Sequence, residues 1–320
     1  MQELDFLDLE ANISQPRLRT YTQLAGSTDT VKLIGAYQWN KRVASALYPI
    51  LQCLEVTLRN AVHTNATQHF NTPDWFDKIT KLAGNDMFLA DMKKNPYKQN
   101  KFYRNGVSTG SRKGLKIWTS YHENMLKQAK DKLTRSGKKS TADSVVAELM
   151  LGFWVGIFES NYNDIQTKDR LWPHLEGIVF PNLKPSDRVH SKIHAKLEPI
   201  QKLRNRLSHH EPVWKHPSVN GPSMAISHLN NIVDDMISLI NGISTHRKEL
   251  LFRSGKISYF KGICSDETLN YYLSGAPITK LDKRRLKRHV EKAIKSPQIA
   301  PTIVTDKKTP KFVIDLWPPQ

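Results

Sequence analysis

The chain has 320 residues, of which 39% are hydrophobic, and its 48 Lys and Arg against 30 Asp and Glu give a formal charge of +18 and a pI near 9.8. That apolar fraction suffices for a sizeable core and argues against disorder throughout, while the length suits one large domain or two small ones. The charge points to a polyanionic partner, because unpaired cations repel one another unless phosphates or acidic lipids neutralise them; a merely well-solvated basic protein and one drawn to membranes are the competing readings.

Two cysteines, Cys53 and Cys264, occur without a CxxC or a His/Cys cluster at ligand spacing, so no disulfide framework, metal site or cofactor is called for, and a reducing cytoplasm fits. The opening MQELDFLDLE is acidic and has none of the regions of a signal peptide, so the chain is expected to stay where it is made. Its most apolar stretch, Val145 to Phe158, contains Glu148 and is shorter than the roughly 20 residues that span a bilayer, so it is read as a buried helix and no membrane partner is expected.

Leu47, Leu51, Leu54, Leu58 and Val62 recur at steps of four and three and line one face of an amphipathic helix. Pro49 suits the first turn of that helix, which predicts a separate or kinked helix over 29–47. Glu55 and Arg59 are spaced to pair on it, with Asn60 beside them; that pair reads as structural first and as support for a site second.

Residues 70–145 read as an inserted basic loop or helical region. Lys93, Lys94, Lys98, Lys101, Arg104, Arg112, Lys113 and Lys116 occur there without an acidic residue among them, interleaved with Tyr97, Phe102 and Tyr103. Cations beside aromatics suit looped or single-stranded RNA; a flexible, solvated loop is the alternative. Next come the apolar helix at 145–158, a short helix near 171–176, and a longer one over about 186–209 that Glu211 and Pro212 should stop. Ile226, Leu229, Ile232, Val233, Met236, Ile237 and Ile240 give a further stripe, and few or no strands are expected.

A cationic helix is predicted over 280–295, where Lys283, Arg284, Arg285, Lys287 and Arg288 could meet phosphates, lie on an anionic membrane or be solvated; the Pro- and Lys-rich end reads as a tail. The expected organisation is an all-α bundle over 1–250 and a basic extension over 251–320.

The segment LRNRLSHHEPVW places four residues between Arg204 and His209. In a chain with 16 Arg and 12 His, about two matches to an Arg and a His separated by four to six residues arise by chance. Arg188 with His194 and Arg284 with His289 match too. Context favours Arg204 and His209: Asn205 follows the arginine, the helix should end just after the histidine, and an amphipathic helix follows. An imidazole can move a proton near neutral pH and a guanidinium can hold phosphate oxygens, so the pair could cleave RNA without a metal. His209 would move the proton of the attacking 2′-hydroxyl or of the leaving oxygen, Arg204 would stabilise the phosphorane and Asn205 would orient one of them. His210 either shares the task or caps the helix end.

The blocks YQWN (Tyr37 to Asn40), ALYPILQCLEVTLRN (Ala46 to Asn60), LGFWVGIF (Leu151 to Phe158), LWP (Leu171 to Pro173) and RNRLSHHEPVW (Arg204 to Trp214) occur in an order that resembles the Abi-like proteins of bacterial abortive infection, of the AbiD and AbiF type, a branch of the HEPN superfamily. The resemblance covers roughly residues 15–250. It implies an α-helical HEPN fold, a homodimer that joins the Arg and His of two subunits in one ribonuclease site, a role in phage defence or as a toxin, and restraint by a structured small RNA. A non-catalytic HEPN protein that scaffolds RNA is the alternative. A DNA-binding regulator is disfavoured by the lack of a helix-turn-helix or finger motif, and the absence of GxxxxGK[ST] excludes a nucleotide-driven motor.

Overall fold

The computed structural model describes residues 12–98, 100–105, 114–274, 288, 291, 302–305 and 310–314. It is 70% helical and has almost no strands, as an all-α bundle should. In chain order the helices are α1 (Gln15–Arg19), α2 (Thr22–Ala25), α3 (Thr30–Phe70), α4 (Trp75–Lys94), α5 (Tyr121–Arg135), α6 (Ala142–Glu148), α7 (Leu151–Gly156), α8 (Glu176–Val179), α9 (His190–Ser208), α10 (Pro222–Ile243), α11 (Thr245–Arg253), α12 (Lys256–Ile263) and α13 (Asp266–Leu273).

The described residues fall into two compact units. The first takes those within Met1–Leu54, Lys202–Ser238 and Thr245–Gln320; the second takes Glu55–Gln201 and Leu239–Ser244. In the first unit, buried Trp39 donates from Nε1 to the carbonyl of Ile263 at 3.0 Å, and the Asn230 amide reaches the carbonyl of Cys264 at 3.4 Å. The second unit is built around Trp75, Trp154 and Trp172, all fully buried; Trp172 stacks on Phe158 at 4.5 Å and donates to the carbonyl of Ile157 at 2.7 Å.

Of the two readings of the segment before Pro49, a separate helix or a kinked one, the separate helix is not found: one continuous helix, α3, carries Pro49 inside it. Proline there removes a hydrogen bond and costs about 3 kcal/mol. Leu33, Ala36, Trp39, Val43, Leu47, Ile50 and Leu54 form an unbroken buried stripe on both sides of the proline, and that burial outweighs the cost.

Residues 70–145 are mostly helical. α4 buries Trp75, Phe76, Ile79, Ala83 and Phe88, and α5 buries Met125, Leu126, Ala129 and Leu133, so only 95–120 remains as a connection. Phe102–Tyr103 (β1) pairs in parallel with Lys116–Ile117 (β2) within it.

The single helix read over 145–158 is broken, because Leu149 and Met150 take extended backbone between α6 and α7. Leu149 and Leu151 are both buried, and two residues two apart lie on opposite sides of a straight helix, so the break lets both reach the interior.

Lastly, the expected tail holds a two-stranded antiparallel pair, Thr302–Thr305 (β3) with Pro310–Ile314 (β4), whose β-branched residues favour strand. Of the cationic segment 280–295, Arg288 and Glu291 are helical and exposed; Lys283, Arg284, Arg285 and Lys287 lie outside the described residues, as do Arg112 and Lys113.

Candidate functional site

α9 forms because Ile193, Leu197, Ile200 and Leu203 recur at helical steps and are buried, with Pro199 carried inside the helix. It ends at Ser208, close to where Glu211 and Pro212 were expected to stop it. The end has a definite geometry: the His209 N–H still donates to the carbonyl of Asn205 at 3.0 Å, the His210 N–H donates to Leu207 at 3.3 Å, and the Glu211 N–H donates to Arg206 at 2.9 Å. His210 has φ 55°, so it occupies the left-handed position of a Schellman closure, a place usually held by glycine. His210 therefore does cap the helix. The Arg206 guanidinium, 3.1 Å from the Glu211 carboxylate, and the Arg17 guanidinium, 2.7 Å from the His210 carbonyl, brace the turn from outside.

Arg204 is half-buried and Asn205 and His209 are exposed; their side chains have no hydrogen-bond or ion-pair partner among the described residues. Five helical steps lead from Arg204 to His209, which puts them about 140° apart around the axis and about 7.5 Å along it. Within one chain they lie on different faces. Asn205 and His209 share one, as their spacing predicts.

His210 borders a cleft of about 480 Å³, with Leu207 and Glu211 from the end of α9, Arg17 from α1, and Tyr37, Asn40 and Lys41 from α3. The cleft residues of α3 were not read as site residues from sequence, although Tyr37 and Asn40 begin and end the YQWN block. Their spacing of three and four puts Tyr37, Asn40 and Lys41 on one helix face, the signal that could have found them. Beyond Pro212 the rings of His216 and His228 stack at 4.8 Å. Burial holds the His228 pKa below its ordinary value, and the charges of His216 and Arg206 add to this.

The remaining predicted residues divide clearly. Glu55, Arg59 and Asn60 belong to the second unit, and the Glu55–Arg59 pair allowed by their spacing is not formed; Arg59 buries its Nε without a hydrogen-bond partner. Lys93, Lys94, Lys101 and Lys116 are exposed, as is Tyr97, and Lys98 pairs with Asp91 at 3.0 Å. Arg104 is a correction. It is buried, bonds both carboxylate oxygens of Glu123 at 2.7 Å, and spends its other donors on Asn85 and on the carbonyls of Lys81 and Trp118, leaving none for a phosphate. Burial alone would raise the Glu123 pKa, but Arg104 and the Ser120 cap outweigh it and hold the carboxyl below its usual range.

Among the described residues, no group of three or more His, Cys, Asp or Glu is placed to hold a metal ion, and no helix is long and apolar enough to cross a membrane. The family described as Abi-like protein matches residues 9–215. The chain belongs to the Abi-like family. That match spans α1 to α9, the α9 turn and the residues lining the cleft. No curated protein matches the chain, and no solved structure does.

Proposed function

We propose that this Abi-like chain is a metal-independent HEPN endoribonuclease of abortive infection or toxin type, dimeric, and restrained by a structured small RNA. The observation that carries this reading is the end of α9, where Arg204 and His209 stand with side chains unengaged by the described residues. In the reaction, the 2′-hydroxyl oxygen attacks the adjacent phosphorus, the P–O5′ bond breaks, and the products end in a 2′,3′-cyclic phosphate and a 5′-hydroxyl. His209 moves the proton of the 2′-hydroxyl or of the leaving oxygen, Arg204 stabilises the charge on the phosphorane, and Asn205 orients one of them once RNA is bound. The angular separation of Arg204 and His209 supports a site completed by a second copy. Exposed Lys93, Lys94, Lys101 and Lys116 beside Tyr97 suit the RNA strand.

The test uses the full chain freed of nucleic acid by high salt and incubated with total bacterial RNA, with sequencing of cyclic-phosphate ends. Cleavage that disappears in Arg204→Ala and His209→Ala, and returns when the two variants are mixed, is the expected result. Cleavage that persists in the double variant overturns the assignment of the site. Binding of RNA by the unmodified chain without new ends would favour the scaffold instead. A discrete small RNA purifying with the chain from its native locus is expected, and its absence removes the restraint from the proposal.

A further inference from the structure

The α3 side of the cleft carries three side chains that can donate hydrogen bonds, Tyr37, Asn40 and Lys41, beside Ala44. Asn40 is 5% exposed, and its Oδ1 accepts the Val213 N–H at 2.9 Å. That bond fixes which way the amide lies, because the oxygen is taken and the NH2 must occupy the other side. No acceptor for that NH2 exists among the described residues, although Asn40 lines the cleft. The NH2 is therefore a donor open to whatever enters the cleft, held in a fixed orientation by the bond to Val213.

Around it stand the Lys41 ammonium and the Tyr37 hydroxyl. Lys41 has no carboxylate partner among the described residues and sits 5.5 Å from the centre of the Tyr37 ring. Arg17 adds a second cation at the rim. The cleft's one carboxylate, Glu211, is already answered by Arg206 at 3.1 Å. The result is a concave site of about 480 Å³ with a largely apolar lining, a few convergent donors and net positive charge, of a size that holds a phosphate with its sugar.

We infer that this cleft is a subsite for a backbone phosphate of the RNA strand, anchored by the Asn40 amide with Lys41 and Tyr37 on the same helix face and Arg17 opposite. The inference rests on the reading of the chain as one that acts on RNA and deepens it, since the cleft adjoins the α9 turn through Leu207 and His210. A strand held here passes the histidine end of α9 and is positioned by contacts that read no base, which suits an enzyme or restrained complex indifferent to sequence at this point.

The test is binding of a fluorescein-labelled 2′-O-methyl oligoribonucleotide, which cannot be cleaved, to the full RNA-free chain, followed by anisotropy at several KCl concentrations. Asn40→Asp keeps an acceptor for Val213 but replaces the donors with a carboxylate; a loss of affinity of about tenfold or more is expected. Lys41→Gln, at an exposed position that leaves the thermal midpoint unchanged, should weaken binding severalfold and lower the salt slope by about 0.7. Affinity unchanged in Lys41→Gln and in folded Asn40→Asp overturns the inference, as does failure of the unmodified chain to bind. Orthophosphate competing as well as the oligonucleotide would mark a small-anion site, and polyglutamate doing so a site for acidic peptides; either outcome overturns the RNA assignment. Binding that depends on Asn40 and Lys41 in a chain that never cuts RNA upholds the subsite while the ribonuclease reading fails.

Discussion

Arg17 donates from Nη2 to the backbone carbonyl of His210 at 2.7 Å, and so fastens α1 to the residue with φ 55° that closes α9. A side chain with a Cβ is disfavoured in that backbone region, and the bond to Arg17 helps hold it there together with the two amide bonds of the turn.

His210→Gly is therefore expected to raise stability by about 1 kcal/mol, because glycine adopts the left-handed turn without the steric cost. Urea unfolding checks this: an unchanged or lower midpoint would mean that the imidazole makes compensating contacts at the cleft.

Arg104 is engaged by Glu123, Asn85 and two carbonyls, so Arg104→Ala should cost about 3 to 5 kcal/mol by leaving a half-buried carboxylate unpaired. Lysine should not rescue it, having no planar fork to meet both oxygens. Thermal unfolding of the two variants provides the comparison, and equal recovery by lysine would show that charge alone is what matters here.

Burial pushes the pKa of His122 down to about 4, and neither ring nitrogen has a hydrogen-bond partner in the structure. Between the ordinary histidine value near 6.5 and about 4 the unfolded chain binds a proton that the folded chain refuses. This contribution to stability is therefore complete above pH 6.5 and is lost as pH falls toward 4, by about 3 kcal/mol in total. His122→Phe should flatten that part of the profile when urea midpoints are compared between pH 7 and pH 4.5.

A Cβ placed on Gly156 would overlap the His122 ring, which is itself packed near Phe153 and Tyr162. Gly156→Ala should cost about 1 to 3 kcal/mol by overpacking. The double variant with His122→Ala should recover part of that loss; a fully additive pair would show that the two residues do not compete for space.

Changing Lys94, Lys101 and Lys116 together to Gln should reduce the slope of log affinity for single-stranded RNA against log salt by about 2, with little effect on unfolding, since all three are exposed. A slope equal to that of the unmodified chain would remove the 95–120 connection from the RNA surface.

Much of the bundle is legible from periodicity. The stripe of α3 and that of α10 recur at steps of three and four, and both helices form where the pattern puts them. Pro49 misleads because a local rule about a missing N–H competes with burial of Trp39, Val43, Leu47 and Ile50, which depends on distant chain. The break at Leu149 and Met150 has no glycine or proline to announce it; it follows from two apolar residues both needing the interior. Residues 93–116 are rich in cations, but composition cannot distinguish Arg104, whose acidic partner lies nineteen residues away, from Lys101, which has none among the described residues. At the site, Arg204 to His210 could be found because motif and helix end coincide. Of the cleft opposite, the sequence offers only the shared face of Tyr37, Asn40 and Lys41; that Arg17 and Asn40 meet the α9 turn depends on contacts with His210 and Val213 more than 170 residues away.

The change of hand between His209 and His210 makes unequal neighbours of two identical residues. One completes a right-handed spiral and faces outward; the other starts the reversal and borders the cleft. Counted from Arg204 they stand five and six positions on, and a spacing rule broad enough to admit one admits both. Deleting a single residue between Arg204 and His209 would leave an arginine and a histidine at the original interval while sliding Glu211 toward the left-handed slot. Such a chain would keep its motif and put an acid where the cleft now has an imidazole, a defect that no pattern search would register.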